Sequence, residues 1–109
     1  MRPRPLSELL RLPIRTGGIE LARPVRPLID PSRKLLGFEV VGRDGVHRFL
    51  PLAAVEVAED ELRVSTALVF LEDRALDYYR SHTRSRAELG LVEPWVDEDG
   101  NVFETRSAA

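Results

Sequence analysis

Leu35-Leu-Gly-Phe-Glu-Val-Val-Gly-Arg-Asp-Gly-Val-His-Arg-Phe-Leu50 decides the fold class. Residues 35–43 read as a strand with Leu36, Phe38 and Val40 on one face, because strand side chains alternate. Asp44-Gly45 is the strongest short hairpin signal in the chain, since tight turns need the positive φ these residue types tolerate. Residues 46–50 then form the returning strand.

Upstream, Asp30-Pro31-Ser32-Arg33-Lys34 is a turn cluster. Residues 23–30 read as extended, but Pro24 and Pro27 cannot donate ladder hydrogen bonds, so this strand is expected at an edge or broken by bulges. Gly17-Gly18 marks a turn between short extended pieces. Ser7 is expected to cap a single helical turn that stops before Pro13, and residues 1–5, alternating Arg and Pro, to form a flexible arm. Downstream, residues 51–54 suit one helical turn, 55–57 a short strand, and 59–61 an acidic turn. Leu62, Val64 and Thr66 alternate with polar residues as a half-buried strand does. About six short strands, with turn signals every eight to twelve residues or so, predict a small barrel or sandwich.

Beyond residue 66 the period lengthens. Leu68, Leu71, Ala75, Tyr78 or Tyr79 and His82 recur at helical spacing. Glu72, Asp73 and Asp77 come early and Arg80, Arg84 and Arg86 late, the order a helix dipole favours, with Gly90 as terminator. Residues 93–104 read as a hairpin around Asp97-Glu-Asp-Gly-Asn101. Because a lone hairpin is marginal in water, Trp95, Val96, Val102 or Phe103 must dock on the barrel, on the helix or on another chain.

The chain has 109 residues, a formal net charge of -2 and no cysteine. That suits one domain and excludes disulfides, thiolate metal ligands and a cysteine nucleophile. Neither an apolar run of membrane-spanning length nor a signal-peptide pattern is present, so a soluble, cytoplasmic domain without membrane insertion is expected. Lys34 is the single lysine among the 16 basic residues. Arginine suits ion-pair networks, acidic partners and phosphates, but a base composition that favours arginine codons is the preferred explanation of the bias. Residues 1–48 carry ten basic and five acidic side chains, whereas residues 49–109 carry six and thirteen. Such a split points to a basic face or to two halves that attract each other.

The run Leu28-Ile-Asp-Pro-Ser-Arg-Lys-Leu-Leu-Gly-Phe-Glu-Val-Val41, followed by Arg48-Phe-Leu-Pro-Leu-Ala-Ala-Val55, resembles the PRC-barrel domain family. Leu6-Ser-Glu-Leu-Leu10 is similar to the family's lead-in. The family includes the cytoplasmic part of the photosynthetic reaction-centre H subunit, the C-terminal domain of the ribosome-maturation factor RimM and small stand-alone proteins. The resemblance covers residues 6–71 and leaves 72–109 as an extension. It departs from the family at Ala22 and Pro24, where a glycine and a valine are usual. It implies a mainly β fold: a small PRC-type barrel of about six short strands carrying a C-terminal helix and hairpin. It also implies a role in interaction and assembly, though a fold alone does not settle function.

Groups placed for chemistry are few. His47, beside the hairpin turn, reads as a surface or cross-strand residue, and His82 as a helix-end residue, since a catalytic base needs both an orienting partner and a nucleophile. None of the serines lies in a nucleophile elbow, and no histidine pair has metal-ligand spacing. The 97–101 loop carries oxygen ligands but lacks the spacing of a calcium loop, and Gly17-Gly18 lacks the residues of a phosphate cradle. No catalytic residue, metal or cofactor is expected, and the chain is read as a non-enzyme. Two binding functions remain. The first is a protein-interaction module that self-associates as a homodimer through Tyr78, Tyr79, Trp95 and Phe103, of the types enriched at interface centres. The second is an RNA- or ribosome-assembly role through Arg11, Arg15, Arg23, Arg26, Arg33 and Lys34, opposed by an isoelectric point near 5.7 and by the lack of aromatics among those arginines.

Overall fold

The computed structural model describes residues 3–104. Met1, Arg2 and residues 105–109, which belong to the expected arm and extension, lie outside the described residues. In chain order the elements are β1 (Arg4–Pro5), α1 (Leu6–Leu9), β2 (Ile14–Thr16), β3 (Ile19–Ile29), β4 (Leu35–Gly42), β5 (His47–Pro51), β6 (Glu56–Val57), β7 (Leu62–Arg63), α2 (Asp73–Ser81), β8 (Pro94–Val96) and β9 (Val102–Glu104). Single 3-10 turns occupy Leu52–Ala54 and Ala67–Val69. The fold is mainly β. One sheet has the order β5-β4-β3-β2-β7-β6, the other β1-β8-β9.

The β4–β5 hairpin forms where the Asp-Gly signal places it. Its loop is Arg43-Asp44-Gly45, with Gly45 at φ 78° and the Gly42 N–H bonded to the Val46 carbonyl. Gly17 and Gly18, at φ 55° and 81°, close the β2–β3 hairpin, a backbone geometry that L side chains resist.

The proline-rich strand β3 lies between β4 and β2, not at an edge. Bulges make this possible. Pro24 pairs with Val40 and Arg26 with Glu39, so Val25 is an extra residue and the ladder absorbs the missing proline N–H. A second irregularity, Leu28 opposite Gly37 but Ile29 opposite Leu35, leaves Leu36 as the extra residue on β4. Leu36 therefore does not share a face with Phe38 and Val40, as strict alternation predicts; it packs on the opposite side with Leu28, Phe49 and Leu76. Pairing of β2 with β7 is parallel, Ile14 opposite Leu62.

Several local expectations are corrected. Arg4 and Pro5 are not a free arm: they pair with Val96 and Trp95, and the Arg4 guanidinium donates to the Ala58 and Glu59 carbonyls. The residue preceding α1 is Pro5, and Ser7 lies inside the helix without a capping bond. Beyond β7 the helical stripe is shorter than its spacing suggests. Leu71 exchanges backbone hydrogen bonds with Phe49, Leu68 is 87% exposed, and α2 starts only at Asp73. At its far end α2 stops at His82, because the Arg84 N–H is taken by the Ile29 carbonyl. Gly90, at φ 70°, ends a separate turn at residues 85–90.

The main core gathers Leu6, Leu9, Ile14, Phe38, Val40, Leu50, Leu62, Val96 and Val102. Full burial of a side chain such as Phe38 contributes about 2–3 kcal/mol. The C-terminal hairpin is thus docked on its own chain through Val96 and Val102, while Trp95 and Phe103, opposite each other across the strands, remain half-buried. Among the described residues no helix is long and apolar enough to cross a membrane.

Candidate functional site

The second face of the β3–β4–β5 region carries the polar feature of the fold. Gly37 and Glu39 on β4, Leu28 and Arg26 on β3, and Phe49 and His47 on β5 share this face by register. Gly37 is required there because an added Cβ would lie 2.2 Å from the Leu50 carbonyl oxygen and 2.8 Å from the Phe49 ring. That space is used by Phe49, whose ring stacks on Tyr79 of α2 with centroids 3.9 Å apart and planes at 14°. Leu76 completes the apolar contact.

Next to it Glu39 is 1% exposed, and an isolated carboxylate could not be ionised there. It is instead surrounded by cations. Arg80 of α2 reaches across in a forked contact, Nε to Oε1 at 3.0 Å and Nη2 to Oε2 at 2.8 Å. Arg26, its register partner, places Nε 3.2 Å from Oε1, and His47 Nδ1 lies 2.6 Å from Oε2. With the carboxylate ionised, that last contact requires the proton on Nδ1. The Arg80 hydrogen bonds outweigh the desolvation of burial; His47 and the charges of Arg26 and Arg80 add to them. Together they hold the Glu39 carboxyl down at about 2. The carboxylate acts as the hub that ties α2 to three strands.

Beyond the hub, Arg26, Arg80 and Arg84 line one cleft of about 190 Å³ with Pro27, Leu28, Thr83, Ser85 and Glu88. Thr83 is committed, its hydroxyl donating to the Tyr79 carbonyl at 2.6 Å. Ser85 and Glu88 form a reciprocal cap: the Ser85 N–H donates to Glu88 Oε1 at 2.9 Å, and the Glu88 N–H to Ser85 Oγ at 3.1 Å.

The aromatic candidates separate. Tyr79 faces inward, whereas Tyr78 is 55% exposed, stacks on His82 at 4.1 Å, and meets Tyr79 edge-on at 5.2 Å. Trp95 lies on the small sheet, lining an open cleft of about 370 Å³ with Pro5, Ser7, Arg86 and Val92. Phe103 is its cross-strand partner. The structure therefore brings Tyr78 and Tyr79 together, and Trp95 and Phe103 together, with no ring contact between the pairs among the described residues.

The basic candidates are also divided. Arg15 lies 3.4 Å from Glu61, Arg23 pairs with Glu20 at 3.1 Å, and Arg26 belongs to the Glu39 hub. Arg33 donates to the Leu89 carbonyl and Lys34 to the Asn101 side chain, both in the turn before β4; Arg11 is exposed. Asp97, in the loop weighed for calcium, accepts from the Asp99 and Asn101 N–H groups and the Asn101 amide. Among the described residues no group of three or more His, Asp or Glu side chains is placed to hold a metal ion.

Glu39 and the Ser85–Glu88 cap escape the sequence reading, and Arg80 and Arg84 enter it only as the basic end of a helix, not as site residues. A signal existed for Glu39: one carboxylate inside Leu-Leu-Gly-Phe-Glu-Val-Val, on the same alternation as Gly37. Comparison of the chain with protein-family models, with curated proteins and with solved structures finds no match.

Proposed function

We propose that the chain is a non-catalytic protein-interaction and assembly module, built on a PRC-like barrel, that associates with a second copy of itself to form a dimer in the cytoplasm. Strand order supports the barrel. β5 and β6 are the outermost strands of the six-stranded sheet, and only residues 52–55 join them. Those two edges therefore stay within the reach of that connection, roughly 17 Å. Leu50 and Leu62, from strands near opposite ends of the order, also pack in one cluster.

Tyr78 carries the interaction reading. It projects from α2 into solvent, yet its ring is held by His82 on one side and Tyr79 on another. The inner face of the same helix is already occupied by Leu76, Tyr79 and Arg80, so folding does not explain Tyr78. A pre-ordered aromatic loses little freedom on docking, and tyrosine and arginine dominate interface energetics.

Light scattering across a concentration series tests the reading. The expected result is a molar mass that rises from monomer to dimer. Tyr78→Ala should weaken this association about tenfold with the melting temperature unchanged. A monomer at every concentration would overturn self-association.

A further inference from the structure

We infer that the cleft between β3 and the segment following α2 is an anion site, built for a phosphate monoester group held by Arg26 and Arg84. The inference goes beyond the interaction reading and does not depend on it. Three observations converge. First, the cleft is walled by guanidinium groups from three separate segments: Arg26 on β3, Arg80 on α2, and Arg84, whose backbone is pinned by a 2.7 Å hydrogen bond to the Ile29 carbonyl.

Second, the donors divide into committed and uncommitted sets. Arg80 spends Nε and Nη2 on Glu39. Arg26 offers only Nε to that carboxylate, so its Nη1 and Nη2 make no hydrogen bond among the described residues. Arg84 uses Nη1 on the Thr83 carbonyl at 2.9 Å, leaving Nε and Nη2 in the same state. Ser85 belongs to the committed set: its Oγ accepts from the Glu88 N–H and its hydroxyl faces the Glu88 carboxylate. Third, two forked cations approach from different elements, each able to engage two oxygens, which suits a tetrahedral oxyanion with several terminal oxygens.

Glu88 lines the same cleft and opposes an anion. Its Oε1 is occupied by the Ser85 N–H, and its charge offsets one arginine; Arg80 is balanced by Glu39 and Asp77, which leaves Arg26 and Arg84 as the cations that face a bound anion. The prediction for Glu88 is therefore distinctive. Its removal should improve binding, whereas general damage to the fold would weaken it.

Amide NMR titration of the full chain with inorganic phosphate, at ionic strength held constant with chloride, tests the site. Saturable shifts at Thr83, Arg84 and Ser85 are expected. Arg84→Gln and, separately, Arg26→Gln should each weaken binding about tenfold, the loss of one charged hydrogen-bonding partner. Glu88→Gln should strengthen it severalfold. Arg84→Gln leaves the Glu39 hub intact, so its thermal melt should match wild type. A phosphoserine peptide and glycerol phosphate distinguish the sources: tighter binding of the peptide assigns the group to a protein partner, and equal binding to a free metabolite. Absence of saturable shifts, shifts that chloride reproduces, or shifts indifferent to Arg84→Gln would overturn the site. Tighter binding of a single-stranded RNA than of phosphate at these residues would overturn the monoester assignment.

Discussion

Phe38 and Glu39 are neighbours on β4 and equally sealed from water, at 0% and 1% exposure, but they point into different kinds of interior. Phe38 enters a cluster assembled from α1, six of the strands and the C-terminal hairpin, where any apolar side chain of similar volume finds partners. Glu39 enters a thin layer between the sheet and a nine-residue helix, where Leu28, Phe49 and Leu76 supply the buried apolar contact. The helix is too short to be stable by propensity alone, so its position depends on these contacts and on one carboxylate. The first face is redundant and tolerant; the second is specified by a few directional bonds.

The sharpest way to separate the two faces is to empty each in turn. Phe38→Ala should cost about 4 kcal/mol, the transfer loss plus the cavity, with a two-state denaturant transition displaced but still single. Glu39→Gln should cost about 3 kcal/mol, because Arg26, Arg80 and His47 lose their shared anion. The two should differ in pattern as well as size. Phe38→Ala lowers hydrogen-exchange protection across the whole sheet, whereas Glu39→Gln lowers it first in α2. Equal loss of protection in both variants would erase the distinction between the faces.

Acid sharpens the same contrast. The Glu39 carboxyl is held at about 2 against an ordinary 4.5, so the unfolded chain takes up a proton that the folded chain refuses until much lower pH. The stabilisation is complete above pH 4.5 and is lost as pH falls towards 2; in full it amounts to about 3 kcal/mol. The stability difference between wild type and Glu39→Gln should therefore shrink across that window, as chemical denaturation at each pH would read. A difference that stays constant with pH would mean the carboxylate acts by packing and not by charge.

These two interiors were not equally legible in the sequence. The large one was written in local terms: Gly17-Gly18 and the 43–45 loop turn the chain where turn chemistry places them, and Phe38, Val40 and Leu50 fall on the buried face by alternation. The bulges were harder, since Pro24 announces that a ladder bond is missing but not how the register absorbs it, and Leu36 changed sides as a result. Parallel pairing of β2 with β7 leaves no local mark at all. The layer under α2 was the least legible. Arg80 and Glu39 are 41 residues apart, and helical spacing over 68–82 concealed that Leu71 serves a strand ladder. Charges that meet across a fold look, in sequence, like ordinary solvated charges.

At smaller scale, the turn after α2 tests whether that layer has a hinge. Ser85→Ala removes one half of the reciprocal cap with Glu88 and should cost about 1 kcal/mol. Because residues 85–90 lie between the Arg84–Ile29 bridge and buried Leu91, the loss should remain local, visible as faster amide exchange at Glu88 and Leu89 with α2 unchanged. Spread of the effect into α2 would show that the cap, and not the Glu39 hub, fixes the helix.

Tyr78 and Tyr79 give the smallest expected effect and the finest version of the comparison, since adjacent residues of one type occupy the two environments. Tyr79 lies between Phe49 and the helix and is part of the apolar layer. Tyr78 rests on His82 at the surface, where stacking between exposed rings contributes little beyond the few tenths of a kcal/mol of a helical side-chain pair. Tyr78→Ala should thus change stability by less than about 0.5 kcal/mol in a urea melt, the usual range for surface sites. A loss several times larger would place Tyr78 in the folding layer with Tyr79, and the exposed ring would no longer stand as a surface kept for a partner.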